Sequence, residues 1–481
     1  MRNRWAWTCV ATLLPLFRGA AAQIIPVKTV PVAEGDQFTF LPSANRGMAN
    51  VIVALDDTLL DPFINPAKGS RVGRGYYFGS PSLYSLSRNG GAGSTLPVGA
   101  IVRRGSTFGG AAFAVQELSS GGGDQSGGDV NVFSLASLAP GTAAQGPHTN
   151  RYVFATLGHS LARSQLSFAG SVMWSRLRGV DGVDLLYPGA QSVNQLGDAV
   201  NLRIGLLKQW QGRGERSLEA VVVHNRYATT HDVSYLEFLW DPATRRPVPN
   251  PHVDHNYDRT HLWGLHLQYQ RPVGDSGWRA GAMLTGNRTS HPTVPTLGVM
   301  NVARDPGTSA AYDIGVGLSR SLNRTTVGVD ALYEPIWSRG PDGGTENRYR
   351  FSNVVVRSGV RRDFQLTSPG SVFQMQFGMQ ARIIRYARDE YDAAGLQPAR
   401  RSYQRWNEWT HTWASSLRTS EFQVHYQWRL TSGVERLGFQ SVFFDPGPIL
   451  LDDSFFPVRP QTTMLPVRVT TQQLSITVPI R

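Results

Sequence analysis

The chain has 481 residues, a formal net charge of +12, 50 glycines, and 12 Trp, 16 Tyr and 21 Phe. Its mean hydropathy is −0.24, and after the N-terminus it has no apolar run of roughly 18 residues, which excludes helices of inner-membrane type. The basic residues form no clustered run or basic helix, which argues against nucleic acid and leaves anionic headgroups or an anionic solute to account for the charge.

At the N-terminus, Arg2 and Arg4 precede an apolar run over residues 5–17, and Ala20-Ala21-Ala22 follows. That order predicts a secretory signal over residues 1–22. The apolar run is shorter than the roughly 17 residues needed to span a bilayer. The only cysteine, Cys9, lies inside this segment. The exported chain therefore has no disulfide, no thiol chemistry and no cysteine metal site.

Residues 23–75 do not alternate; Pro26, Pro31 and Pro42 interrupt them. Within this stretch Asp56 or Asp57 can cap a short turn, and Asn65-Pro66 initiates another. A first strand is expected over residues 75–86, followed by a tight pair over 97–104 and 107–115 around Gly105-Ser106.

Further along the chain, two-residue periodicity dominates. Over residues 373–383, Phe373, Met375, Phe377, Met379, Ala381 and Ile383 alternate with Gln374, Gln376, Gly378, Gln380 and Arg382. Side chains on a strand point alternately to opposite faces, so one flank is apolar and the other polar. The register holds for the roughly nine to eleven residues that a tilted strand needs to cross a bilayer. Similar segments lie over residues 152–161, 166–174, 200–206, 217–227, 263–270, 278–287, 312–318, 327–333, 349–361, 422–430 and 474–480.

Turns near residues 163, 213, 275, 323 and 419 are short. Connections near 130, 187, 243, 298, 343 and 394 read as long and polar. Short turns at one end and long loops at the other predict an all-β, antiparallel transmembrane barrel of outer-membrane type, spanning residues 76–481 with about 14 strands, or 16. Aromatics near strand ends, such as Trp174, Trp210, Trp278 and Trp337, suit interfacial girdles. With apolar partners facing lipid, Gln268, Gln270, Arg361, Gln374, Gln376, Gln380, Arg382, Gln423, Gln427 and Arg429 line a hydrated lumen.

The segment Asp57 to Asn65-Pro66-Ala67-Lys68 resembles the N-terminal hatch of the FadL family, outer-membrane transporters of long-chain fatty acids and other hydrophobic compounds. Lys68 makes it similar also to PorV-like relatives, which serve type IX secretion. The resemblance implies a hatch over residues 23–75 with Asp57, Asn65, Pro66, Ala67 and Lys68 at its binding site. It further implies passive uptake of a hydrophobic small molecule, with outer-membrane lipid as the surrounding partner. A PorV-like role would instead require a partner protein, and a polar-lumen porin would need no hatch.

No motif calls for a cofactor, a metal or catalysis. His252, His255, His261, His266 and His291 lack a zinc-type spacing. Ser420, His425 and Ser432 lack a triad spacing. Gly121 to Gly128 lacks the flanking strand, helix and lysine of a phosphate loop.

Overall fold

The computed structural model describes residues 37–87, 90–119, 147–180, 192–210, 216–290, 308–342, 345–368, 370–392, 400–438 and 463–480. The expected signal, the glycine loop over 121–128, the turn near 213 and His291 lie outside them.

The alternating segments form strands because each carries β-branched and aromatic residues on one flank and is bounded by turn formers. In chain order they are β1 (Gly75–Gly79), β2 (Ser82–Leu86), β3 (Ala92–Arg104), β4 (Thr107–Ser119), β5 (His148–Leu161) and β6 (Leu166–Leu177). Next come β7 (Ser192–Trp210), β8 (Arg216–Asp241), β9 (Arg246–Asp258), β10 (His261–Val273), β11 (Trp278–Ser290) and β12 (Thr308–Leu322). The series ends with β13 (Thr325–Asp342), β14 (Thr345–Gln365), β15 (Val372–Asp392), β16 (Arg400–Arg418), β17 (Gln423–Gly438) and β18 (Thr463–Pro479).

Consecutive strands pair antiparallel except β1 with β2 and β9 with β10, and the sheet closes where β1 and β2 join β18. β1 and β2 are one wall strand broken at Ser80-Pro81 without a change of register against β3, because Pro81 has no N–H to donate. β9 and β10 likewise succeed one another along β8. The 18 segments therefore make a closed barrel of 16 strands, the larger of the two expected sizes. An even count returns both ends of the wall to the side of the short turns.

Two connections expected to be long are not. Around residue 243 the chain turns tightly at the tip of the β8–β9 hairpin, and β13 and β14 pair up to Asp342↔Thr345. The prolines that suggested a loop, Pro247, Pro249 and Pro251, fall at alternate positions of β9, which pairs on one side only. Proline is tolerated there because the missing N–H would point to an open edge.

The outward flank is apolar along the middle of the strands. Ile204 is 64% exposed, Val316 59% and Phe377 52%, while the inward Gln376, Gln270 and Asp330 are buried. An apolar belt around a closed barrel is stable only against acyl chains, since the closed ladder pairs the wall backbone there and the free edge of β9 lies beyond it on the long-loop side. The protein is therefore a bacterial outer-membrane β-barrel.

The inward flank is small at places where residues 47–54 pass close to it. A Cβ on Gly281 would overlap the Val53 carbonyl, and one on Gly378 would overlap the Ala49 amide. Gly281→Val should keep the barrel's strand content by circular dichroism. Overpacking costs about 1–3 kcal/mol, so it should raise the fraction of molecules cleaved by protease within residues 40–70 roughly five- to a hundredfold.

Candidate functional site

Residues 40–71 run through the bore without a ladder of their own; their only regular pieces are the turns Arg46–Met48, Asp61–Ile64 and Pro66–Arg71. A buried backbone needs partners for its N–H and C=O groups. Inward side chains of the wall supply them. Gln473 Nε2 donates to the carbonyls of Phe40 (2.8 Å) and Leu41 (3.2 Å). Gln376 Nε2 donates to Ala44 O at 2.8 Å. Thr412 Oγ1 donates to Gly47 O at 2.9 Å and accepts from the Ala49 amide at 3.0 Å.

Further along, Gln268 Nε2 donates to Ile52 O and Val53 O at 3.0 and 3.1 Å. Asp330 Oδ2 accepts from the amides of the same two residues at 2.8 and 3.2 Å. Ser319 Oγ donates to Ala54 O at 2.8 Å. Arg203 Nη1 donates to Phe63 O and Ile64 O, both at 3.1 Å. Donors and acceptors on seven different wall strands thus hold one chain segment.

Asp57 organises the segment internally. Its carboxylate accepts from Ser43 Oγ at 2.6 Å and from the amides of Ala44, Asn45, Leu59 and Leu60 at 2.8–3.2 Å. That set fastens residues 43–45 to the following turn. Apolar contacts help: Phe63 meets Phe78 edge-on at 5.5 Å and Phe154 at 5.0 Å. Ala67 is buried with Phe108, Ala169 and Leu207.

Asn65-Pro66-Ala67-Lys68 sits against β7 and β8. Asn65 caps the Pro66–Arg71 turn by accepting from the Ala67 amide at 3.1 Å, and Pro66 occupies its first position. Asn65 Nδ2 donates to Glu219 Oε2 at 2.8 Å and to Leu206 O at 3.3 Å. Lys68 Nζ, buried, lies 2.9 Å from Glu219, 3.2 Å from Asp61 and 3.6 Å from Asp56. Arg71 pairs with Asp56 at 2.6 Å.

Three carboxylates thus face two cations, leaving one negative charge in excess. Burial, reinforced by Asp56, Glu219 and Asp57 and only partly offset by Lys68, pushes Asp61 up to about 8. Burial would raise Asp56 as well, but Lys68 and Arg71 beside it hold it below the usual carboxylate range. Burial disfavours the Lys68 ammonium, yet Asp61, Glu219 and Asp56 outweigh that and keep it charged.

The structure brings only some of the expected lumen residues onto the segment. Gln268 and Gln376 grip it directly. Gln374 accepts from Gln376 and donates to Asp363 at 2.7 Å. Gln380 accepts from Arg357 at 3.0 Å. Arg382 lies between Glu334 (3.4 Å) and Glu408 (3.8 Å). Gln427 donates to Gln473, and Gln270 accepts from Arg279 at 3.4 Å. Arg361 donates to Thr326 at 3.4 Å, Gln423 borders a pocket at the short-turn end, and Arg429 keeps to the inward register of β17.

Glu219, Asp330, Arg203, Thr412 and Gln473 were not singled out in the sequence. Each has the inward parity of its strand, and an isolated acid among apolar alternations, as at Glu219 and Asp330, was the available signal. Of the histidines, His255 contacts Asp232 at 2.7 Å and His266 contacts Thr285 at 2.8 Å. Among the described residues no group of three or more metal-ligating side chains converges.

The fold and its lining define a transmembrane β-barrel of outer-membrane type whose bore is occupied by its own N-terminal segment. No family model and no curated protein matches the chain. Among solved structures it is similar to the toluene transporter TodX of Pseudomonas putida, with 10% identity over 94% of this chain and 99% of that one and a TM-score of 0.40. A FadL homologue of Pseudomonas aeruginosa matches with 10% identity, 93% and 99% coverage and a TM-score of 0.40. CdiB of Acinetobacter baumannii matches with 9% identity, 84% of this chain and a TM-score of 0.36. The chain spans 60% of the length of that CdiB and 62% of its Escherichia coli counterpart.

Glu219→Gln removes the nearest of three carboxylates around Lys68 and an acceptor of Asn65. Asp61, relieved of that neighbouring charge, ionises in its place, so the loss is that of charged hydrogen bonds, about 1.5–3 kcal/mol. Hydrogen exchange of residues 60–71 should accelerate strongly while the wall strands stay protected. pH acts through Asp61. Docked, it titrates near 8; released into water it returns to its ordinary 3.8. The docked segment thus holds an extra proton, and docking weakens as pH rises from about 4 to 8, then levels off. Asp61→Asn should remove that slope in the same exchange measurement.

Proposed function

We propose that this barrel is a gated outer-membrane conduit for hydrophobic or amphipathic small molecules, fatty-acid-like in character, with residues 37–74 as its hatch. The observation that carries the reading is the kind of hold on the segment. Wall side chains bind its backbone through one or two hydrogen bonds each, worth about 1 kcal/mol net for the neutral groups and about 1.5–3 kcal/mol for Arg203 and Asp330, and each replaceable by water. A permanent plug is better served by an apolar seal; a polar one can be let go in parts.

A second feature supports the substrate class. Beneath the segment, at the short-turn end, lies a pocket of about 580 Å³. Leu59, Pro62, Val72, Tyr76, Phe422 and Ile480 give it an apolar body; Lys68 and Arg71 are offset there by Asp56 and Asp61, and Arg74 and Arg418 add positive charge. A hydrocarbon body with an anionic end suits that apolar lining and the positive charge of Arg74 and Arg418. In this reading the solute enters from the long-loop end, passes between hatch and wall as the Lys68–Glu219 contact opens, and pauses in the pocket. Asn65-Pro66-Ala67-Lys68 is then the fastening point, with Asp57 keeping the hatch intact as a unit.

Proteoliposomes carrying the full chain should take up a labelled long-chain fatty acid faster than empty liposomes, and Glu219→Gln should change that rate. In planar bilayers the full chain should conduct ions weakly, while a chain lacking residues 37–70 should conduct strongly. Equal conductance of the two would favour an always-open polar porin. Uptake no faster than in empty liposomes would sink the transporter reading, and stable co-purification with another protein would then point to an accessory of secretion.

A further inference from the structure

We infer that the short-turn rim of the barrel is a binding surface for anionic glycerophospholipid. On the outward face and turns of that end stand Arg104, Lys208, Arg271, Arg320, Arg324 and Arg362, against the carboxylates Asp275 and Glu421. None of the six is ion-paired among the described residues. Their hydrogen bonds go to neutral oxygens: Arg320 to Ser276 O at 3.3 Å, Arg324 to Gln365 Oε1 at 2.7 Å, and Lys208 to Ser164 O.

Three of these cations lie over aromatic rings at the edge of the apolar belt. Lys208 Nζ is 5.6 Å from the Trp210 ring, Arg320 Cζ 5.4 Å from Trp278 and Arg362 Cζ 5.7 Å from Phe364. Trp210, Trp278 and Phe364 are all exposed on the outer face. An aromatic ring at headgroup depth with a cation above it leaves the outer side of the cation free for a phosphate.

Some cations of the long-loop end are met within the protein. There Arg176 pairs with Asp198 at 2.8 Å, and Asp389 receives both Arg350 and Arg401 at 2.5 Å. Its cation–aromatic pairs, Arg348 with Tyr391 and Arg388 with Tyr349, stand across from and beside Asp389 in the ladder. Where those ion pairs stand, charge is met within the protein; the six cations of the short-turn end have no such carboxylate among the described residues. The site offers a ring of cations at headgroup level and no concave cage, so the phosphate that fits it is one held in the bilayer plane, with the acyl chains on the belt of Leu206, Val273, Leu318 and Val360.

The test uses the full chain with Ser276→Cys as its labelling site, Cys9 being the only native cysteine. A fluorophore there, in phosphatidylcholine vesicles, is quenched by brominated phosphatidylglycerol or by brominated phosphatidylcholine. Phosphatidylglycerol should quench preferentially, and the preference should fall about fivefold for each cation removed in Arg320→Gln and Arg324→Gln, since one such charge near a surface is worth about 1 kcal/mol. Arg320→Lys with Arg324→Lys should retain it, which separates charge loss from misfolding. Equal quenching by both lipids, or a preference unchanged in the Gln variants, would refute the inference. Loss of the preference on adding inorganic phosphate at constant ionic strength would refute the lipid source in favour of the free anion.

Discussion

A backbone group buried without a partner costs about 1–3 kcal/mol, and residues 40–64 carry many such groups through the bore with almost no regular structure among themselves. The rest of the architecture follows from meeting that demand. Gln473, Gln376, Thr412, Gln268, Asp330, Ser319 and Arg203 project from different strands, yet all reach backbone atoms of the same segment. Recognition of backbone leaves the segment's side chains free for other work. Asp57 uses that freedom to knit the segment together, and Lys68 and Arg71 use it to build a charged joint at the short-turn end.

The joint and the backbone hold have different characters. Hydrogen bonds to carbonyls are numerous, weak and indifferent to pH. The cluster of Lys68, Arg71, Asp56, Asp61 and Glu219 is compact and strong, and its charge balance is completed by a proton on Asp61. Glycines set the clearance between segment and wall, so that close approach at Gly281 and Gly378 is possible at all. Together these devices describe a body that fits its bore closely and is fastened at one end.

Much of the barrel was legible in the sequence because lipid on one side and a filled bore on the other force a strict two-residue period. Over residues 373–383 both flanks came out as the alternation implied, and the turns near 163, 275, 323 and 419 lie where their turn residues predict. Strand number was harder to read. Pro247, Pro249 and Pro251 are loop signals in general, and they become strand residues only because β9 has a free edge, which is a property of the tertiary arrangement. The site was the least legible part. Asn65 to Lys68 stood out through resemblance, but nothing local in Lys68 names Glu219 as its partner, and nothing in Thr412 or Arg203 distinguishes them from other inward polar residues. Those pairings depend on how a segment without periodicity threads a cylinder, and periodic patterns carry no information about that.

The account depends most directly on the segment being enclosed by the wall and held by contacts that can open. Val53 is packed against the wall, fully buried between Gly281 and Gly317. With a cysteine at Val53 in the folded protein, a membrane-impermeant maleimide should react from neither face of a proteoliposome, and reactivity should appear when Glu219→Gln is added. Labelling of that cysteine at the rate of one placed in an exposed turn would contradict the account.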